Sequence, residues 1–315
     1  MKYRPIDLAG VTTYPLAERK NKVSVRRHFA RPVTAGMSVA ELLAALPDQL
    51  GARALHRVID AVVAAREKGK PVIMALGAHV LKCGLQPVLR SLVEAGAINA
   101  FALNGAGAIH DYEIALIGET SEDVGAVLHA GHFGMAEETG RDLNRAIKAG
   151  VARGLGFGAA VGQFIVEQQH PFRDQSLLAL CASRGIPATV HVAVGTDIIH
   201  QHPEADGATI GEASFTDFRL LTAIVAELGD GGVFLNVGSA VILPEVFLKA
   251  LSIAQNLGHH VDGFTTANFD MVQHYRPLQN VVKRPTSGHS HGYTLTGQHE
   301  IMLPLLAAGV LEKIR

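Results

Sequence analysis

The chain has no tryptophan, and only 5% of its 315 residues are aromatic, so its interior must be packed from Ala, Leu and Val. It has two cysteines, Cys83 and Cys181, which excludes a disulfide scaffold and gives no Cys-based zinc spacing. It lacks a charge excess: 28 basic and 29 acidic residues leave a net charge of −1, which gives no electrostatic argument for a nucleic-acid or acidic-membrane partner. No apolar run reaches membrane-spanning length without a glycine or a charge. The opening MKYRPIDLAG has no signal-peptide core, so a cytoplasmic protein is expected. Internal repeats, low-complexity tracts and Pro/Ser-rich linkers are missing too.

What is present is glycine, 33 residues of it, placed at the ends of apolar runs. Val72–Leu76 lies between Pro71 and Gly77 and reads as a strand buried on both faces. Leu81, Leu85, Val88, Leu89, Leu92 and Val93 recur at helical spacing, Gly96 stops that helix, and Ala97–Leu103 resumes as a strand. This is a βαβ unit, and its second strand empties into Asn104-Gly105-Ala106-Gly107. Further strands are expected at Ala188–Val194, Gly232–Val237 and Val261–Thr266. Helices are expected at about 52–68, 137–150, 176–184, 215–228, 244–257 and 301–311. Ser38 and Glu41 form a capping box that opens a helix. The pattern specifies an α/β fold with a doubly wound parallel sheet and helices on both faces, spanning 37–315 as one domain. Residues 1–36, with Arg19, Lys20, Lys22, Arg26 and Arg27, read as a solvated oligomerisation arm.

Ligands of open parallel sheets sit at the carboxyl ends of the strands. Four expected strands end in polar, Gly-rich turns, at 77–79, 104–111, 195–202 and 265–270. Asn104, Gly195, Gly238 and Thr266 should therefore meet at one sheet edge, around a nucleotide or small metabolite. Gly154–Phe164 is also glycine-rich, but it lacks the dinucleotide spacing and reads as a helix start or packing element. Histidine is abundant, with 16 residues, many beside these turns. Asp197, His200 and His202 fall within six residues, and His289 and His291 alternate near the tail. Such imidazoles suit a hydrogen-bonding pocket, or ligation of zinc or another divalent metal by His200, His202, His289 and His291.

The order of these motifs resembles the deoxyhypusine synthase family over about residues 70–310. Ala78-His79 falls where that family has Ser-Asn, and Asn104-Gly105-Ala106-Gly107 falls at its Thr-Ala-Gly-Gly turn. Gly195-Thr196-Asp197 is similar to its Gly-Asp turn, and Gly238-Ser239-Ala240 to its triple glycine. Thr265-Thr266-Ala267-Asn268 is similar to its Asn-Thr-Ala-Gln. The resemblance implies a Rossmann-like fold, a homotetramer with sites at subunit interfaces, and NAD held by Ala78, His79, Asn104, Gly105, Ala106, Gly195, Thr196, Gly238, Thr265, Thr266 and Ala267. It also implies amine chemistry through a lysine, and there the chain departs. Pro285 stands at the lysine position, and Lys283 lies two residues away. Proline has no nucleophilic amine, so deoxyhypusine formation is not expected.

Three functions follow from these residues. The first is an NAD enzyme for a small polar or amine-bearing metabolite, with Asp197 anchoring a cation, His110 or His202 as acid/base, and Lys283 as a substitute amine if its loop were rebuilt. The second is a metal-dependent hydrolase or lyase built on the histidines. The third is a ligand-binding relative without catalysis.

Overall fold

The computed structural model describes residues 2–314. Among the described residues nothing before Leu43 is buried, and the arm exposes Tyr3, Ile6, Leu8, Tyr14 and Phe29. The capping box then forms as expected at Ser38 and Glu41 and opens α1 (Val39–Ala45). The body continues through α2 (Leu50–Glu67), β1 (Val72–Leu76), α3 (Ala78–Lys82), α4 (Gln86–Glu94), β2 (Ala100–Asn104) and α5 (Gly105–Ile117). Next come α6 (Glu137–Val151), α7 (Phe157–Glu167), α8 (Leu177–Arg184), β3 (Ala188–His191), α9 (Gly207–Ala226) and β4 (Val233–Val237). The chain ends with α10 (Ile242–Asn256), β5 (Thr265–Asp270), β6 (His291–Thr296) and α11 (His299–Ile314).

The six strands are all parallel, in the order β3-β2-β1-β4-β5-β6. This is a doubly wound sheet whose winding reverses between β1 and β4, the place where such folds open a crevice. β1, Val-Ile-Met-Ala-Leu, is buried at every position, as a central strand with helices on both faces must be. One apolar layer packs Met74, Phe101, Leu103 and Leu235 with α2, α5 and α11. The other packs Ile73, Ala102, Phe234 and Phe247 with α9 and α10.

The sequence misplaces one strand and omits another. Val261–Phe264 is loop, buried only at Val261 and Phe264, and β5 is the segment Thr265–Asp270. Its polar groups are satisfied internally: Asn236 Nδ2 donates to Asn268 Oδ1 at 2.7 Å, and Thr266 Oγ1 donates to the Val281 carbonyl at 2.8 Å. β6 lies at the sheet edge with its first residues part-exposed, so it carries no apolar run to announce it. The helix expected over 81–95 is two pieces, broken where Gly84 takes φ +70°.

The glycine-rich stretch from Gly154 holds no space for a phosphate. The Asp217 carboxylate fills the start of α7, accepting from Gly158 N at 2.9 Å and from Val190 N at 2.7 Å. A Cβ on Gly156 would sit 1.8 Å from Asp217 Oδ1, so glycine is what lets this internal carboxyl in. Asp111 does the same for α8, accepting from Leu177 N and Leu178 N.

Candidate active site at the carboxyl edge of the sheet

α5 builds one wall of a cavity of about 440 Å³. Ala106, Ile109, His110 and Glu113 lie at i, i+3, i+4 and i+7, one face of that helix, and all four line the cavity. Asn104 fixes the start of the helix by accepting from Gly107 N at 3.0 Å. Thr196 and Asp197, from the turn after β3, form the opposite wall, and Lys82 and Glu122 reach the rim. Gly195 turns the chain there with φ +94°.

Asp197 is set hard against the first turn of α5. A Cβ on Gly105 would lie 2.1 Å from Asp197 Oδ2, and the Ala106 N–H favours the ionised carboxylate. Its side chain is 6% exposed, and burial raises its pKa despite the nearby His200 and Ala106 N–H. Asp197 Oδ2 has no hydrogen-bond partner, and neither has His200 Nε2, 4.0 Å away. Gly195 N and Asp197 N both donate to His200 Nδ1, at 3.1 and 3.3 Å, so that nitrogen carries the lone pair and Nε2 carries the proton. An acceptor oxygen and a donor nitrogen are thus buried side by side with nothing between them. Both atoms are sealed from solvent, so the pair is an internal polar contact set behind the cavity wall.

His110 is the second polar feature of the cavity. Its Nδ1 lies 2.7 Å from Thr120 Oγ1, and Thr120 Oγ1 donates in turn to Glu113 Oε2. Glu113 Oε1 accepts from Thr139 Oγ1 at 3.0 Å. Burial works to raise the Glu113 pKa, but the bonds from His110, Thr120 and Thr139 outweigh it and the carboxyl is held below its usual range.

The switch point between β1 and β4 adjoins this region. Gly77 N donates to the Val237 carbonyl at 2.8 Å, and a Cβ on Gly77 would lie 2.0 Å from the Gly238 carbonyl oxygen. Gly238, at φ +70°, faces the buried His299, whose ring lies 6.1 Å from that of His79. His299 Nδ1 and Asn236 Oδ1 are buried without partners here. Burial, ahead of the neighbouring charges, lowers the His299 pKa and keeps that ring neutral. A dinucleotide fits this place in one respect: glycine turns stand at the switch point, the position where doubly wound sheets open a crevice. It does not fit the start of α5, where Asp197 already occupies the anion position.

The structure therefore brings Asn104, Gly105, Ala106, His110, Gly195, Thr196 and Asp197 together, with Ala78, His79 and Gly238 at the adjacent switch point. It separates the others. Thr265, Thr266 and Ala267 open β5 at the amino side of the sheet, in register with Val233, Phe234 and Leu235. His202 packs its ring on Gly140, where a Cβ would come within 2.2 Å, and its Nδ1 accepts from Glu204 N, so it does not line the cavity. His291 starts β6 beside Thr265, and His289 is 92% exposed and bonded to Asp262 before β5. Both lie at the amino edge, so they cannot join His200 and His202 around one ion. Among the described residues no group of three or more His, Cys, Asp or Glu side chains is arranged to hold a metal ion. Lys283 is exposed at the end of the π-helical segment Leu278–Lys283 and does not line the cavity. The sequence reading missed Lys82, Glu113, Thr120 and His299. Glu113 alone was within reach, as the residue three beyond His110 on one helix.

No family model matches the chain, and no curated protein does. Solved structures do match. A LOR/SDH-assigned protein from Methanococcus maripaludis S2 is 16% identical, covers 84% of this chain and 71% of its own, and gives a TM-score of 0.50. AgrE in complex with ornithine and NAD+ is 16% identical over 83% of this chain, with a TM-score of 0.52, and the match spans 34% of AgrE. A protein assigned as a deoxyhypusine synthase from Entamoeba histolytica is 11% identical, covers 88% of this chain and 94% of its own, and gives 0.52. The fold is the deoxyhypusine synthase-like α/β fold that these proteins share.

Proposed function

We propose that this chain is an NAD-using enzyme acting on a small amine-bearing metabolite, and that it does not form deoxyhypusine. The observation that carries the reading is the convergence of Asp197, His110, Glu113 and Lys82 on one cavity at the carboxyl edge of the sheet. The carboxylates of Asp197, Glu113 and Glu122 among its lining residues suit an ammonium or guanidinium group. Lys82 also lines the cavity and would pair with a carboxylate on the same substrate, which favours an amino acid over a simple amine. His110, with no protein partner on Nε2, would take the proton that leaves the amine. NAD, when bound, would accept a hydride from the carbon that bears the nitrogen. Gly77, Ala78, His79, Gly238, Asn236 and His299 are the residues that would hold it. AgrE, bound to ornithine and NAD+, supports both halves of the reading.

The exposed apolar residues of the arm support a homo-oligomer, the arm packing on another copy. A divalent metal is not part of the proposal.

Mass spectrometry of small molecules released from native protein, followed by calorimetric titration with NAD, tests the reading. Micromolar NAD binding, and NADH production with one of a panel of basic amino acids and diamines, is the expected result. A protein that binds neither NAD nor any cationic amine is a different kind of molecule.

A further inference from the structure

We infer that Glu113 and Thr120 form a relay that sets the tautomer of His110, leaving His110 Nε2 as the proton acceptor that faces the cavity. The argument is one of proton accounting. A threonine hydroxyl has one hydrogen to give. Thr120 Oγ1 gives it to Glu113 Oε2, and Glu113, held ionised by its contacts with His110, Thr120 and Thr139, can only accept. Thr120 Oγ1 must then accept from His110 Nδ1, across 2.7 Å. The neutral ring therefore carries its hydrogen on Nδ1 and its lone pair on Nε2. His110 Nε2 has no protein partner, and it is not among the sealed, unpartnered atoms of the interior. The ring lines the cavity with Asp197, Lys82 and Glu122, so its open nitrogen faces the place where an amine would be held.

The relay also rests on local geometry. His110 and Glu113 are three apart on α5, which puts both on one face. Gly118 ends the helix at φ +77° and turns the chain back, so that Thr120 drops between the two side chains. Thr139, from α6, holds the far oxygen of the carboxylate. Two helices and the intervening loop thus converge on one proton position. Neighbouring His200 is set the opposite way: there two backbone N–H groups claim Nδ1, and the hydrogen sits on Nε2. The cavity wall therefore offers an acceptor nitrogen from one histidine, while the other turns a donor towards Asp197. Glu113 and Thr120 are positioning residues, because neither need touch a substrate. The use of His110 as a base rests on the proposed amine chemistry, but its tautomer does not.

The test reads the ring directly. Full-length protein with 15N-labelled histidine is recorded by long-range 1H–15N correlation at a pH where His110 is neutral, with His110→Gln used for assignment. The expected spectrum has His110 protonated on Nδ1. Thr120→Val removes the acceptor and should shift the population towards the Nε2–H form, whereas Thr120→Ser should restore the native form. Glu113→Leu frees the Thr120 hydroxyl to donate to Nδ1 and should invert the tautomer. Thr120 is part-exposed in a loop, so its variants keep the fold even where Glu113→Leu does not. An Nε2–H ring in the native protein overturns the inference, as does a Thr120→Val spectrum identical to wild type. Titration with NAD is independent of this result, so failure of the amine-oxidising reading and failure of the relay give different outcomes.

Discussion

The two edges of the sheet use the same residue types to opposite effect. At the amino edge, Asp262 accepts from Gly263 N, His289 N, Ser290 Oγ and His289 Nδ1, and these bonds, led by His289, hold its carboxyl far below its usual range. At the carboxyl edge, Asp197 has one oxygen with no partner, and burial pushes its carboxyl the other way. His289 stands in solvent, whereas His200 is 7% exposed with its Nε2 unpaired. A satisfied Asp–His pair on the surface holds a loop together. An unsatisfied buried pair costs stability.

The comparison breaks most severely at the switch point. Gly77→Ala places a methyl against the backbone carbonyl of Gly238, which cannot rotate away, and is expected to destabilise the protein by about 3 kcal/mol, the upper end for overpacking. Gly211→Ala, in α9 with nothing within 4 Å of its Cβ, should instead gain about 0.5–1 kcal/mol. Urea unfolding of the two variants measures both, and equal effects would mean that the β1/β4 junction is looser than described.

Asp197→Asn comes next and separates binding from stability. Removing a charged partner should weaken a bound amine by about 10–100-fold, the effect of losing a hydrogen bond to a charged group. The same substitution relieves a desolvated charge, so the thermal midpoint should hold or rise. Calorimetry with an amine recovered from the native protein, alongside a melting curve, checks this. A variant that binds as tightly as wild type removes Asp197 from the site.

Much of this architecture was legible in the sequence, for a physical reason. β1 and β4 are central strands covered on both faces, so their apolar runs and closing glycines mark their ends. The bounds of β5, expected at Val261–Thr266, were not legible because its buried amides and hydroxyls find partners elsewhere in the fold, and pairing of that kind leaves no trace in one segment. The error moved Thr265 and Thr266 to the wrong end of the sheet. The His clusters misled in a similar way: His289 and His291 are close in sequence to neither His200 nor His202, and only the strand register shows that they face the opposite edge. Asp197 was legible because it follows a strand. Thr120 was not, since its role depends on how a loop folds back over α5.

A smaller effect should appear with pH. Burial pushes Asp111 up to about 6 and Asp217 up to about 7, from 3.8. A carboxyl whose folded pKa exceeds its unfolded value binds more protons when folded. Its contribution to stability is therefore complete below about pH 4 and is lost as pH rises through 6 and 7. The thermal midpoint should fall between pH 5 and pH 8, and Asp217→Asn should flatten that slope. Asp262, shifted in the opposite sense, loses its contribution only as pH falls below 3.8, outside this window. A midpoint that rises from pH 5 to 8 in the native protein, unaltered in Asp217→Asn, would show that these two carboxyls do not control it.

The smallest expected effect sharpens the comparison most cleanly. His289→Ala removes a ring that is 92% exposed and bonded to a carboxylate that keeps three other donors. Exposed pairs of this kind contribute little, so the thermal midpoint should stay close to that of wild type. The larger consequence is for function. If the amino edge is only structural, His289→Ala should bind NAD and amine as wild type does, while His110→Ala, at the cavity, should lose turnover by about 100-fold or more, the usual worth of a positioned acid/base. Reversal of that order, with His289 needed and His110 dispensable, would move the active site to the other edge of the sheet, where Arg284, His259 and His260 line a second cavity of about 600 Å³.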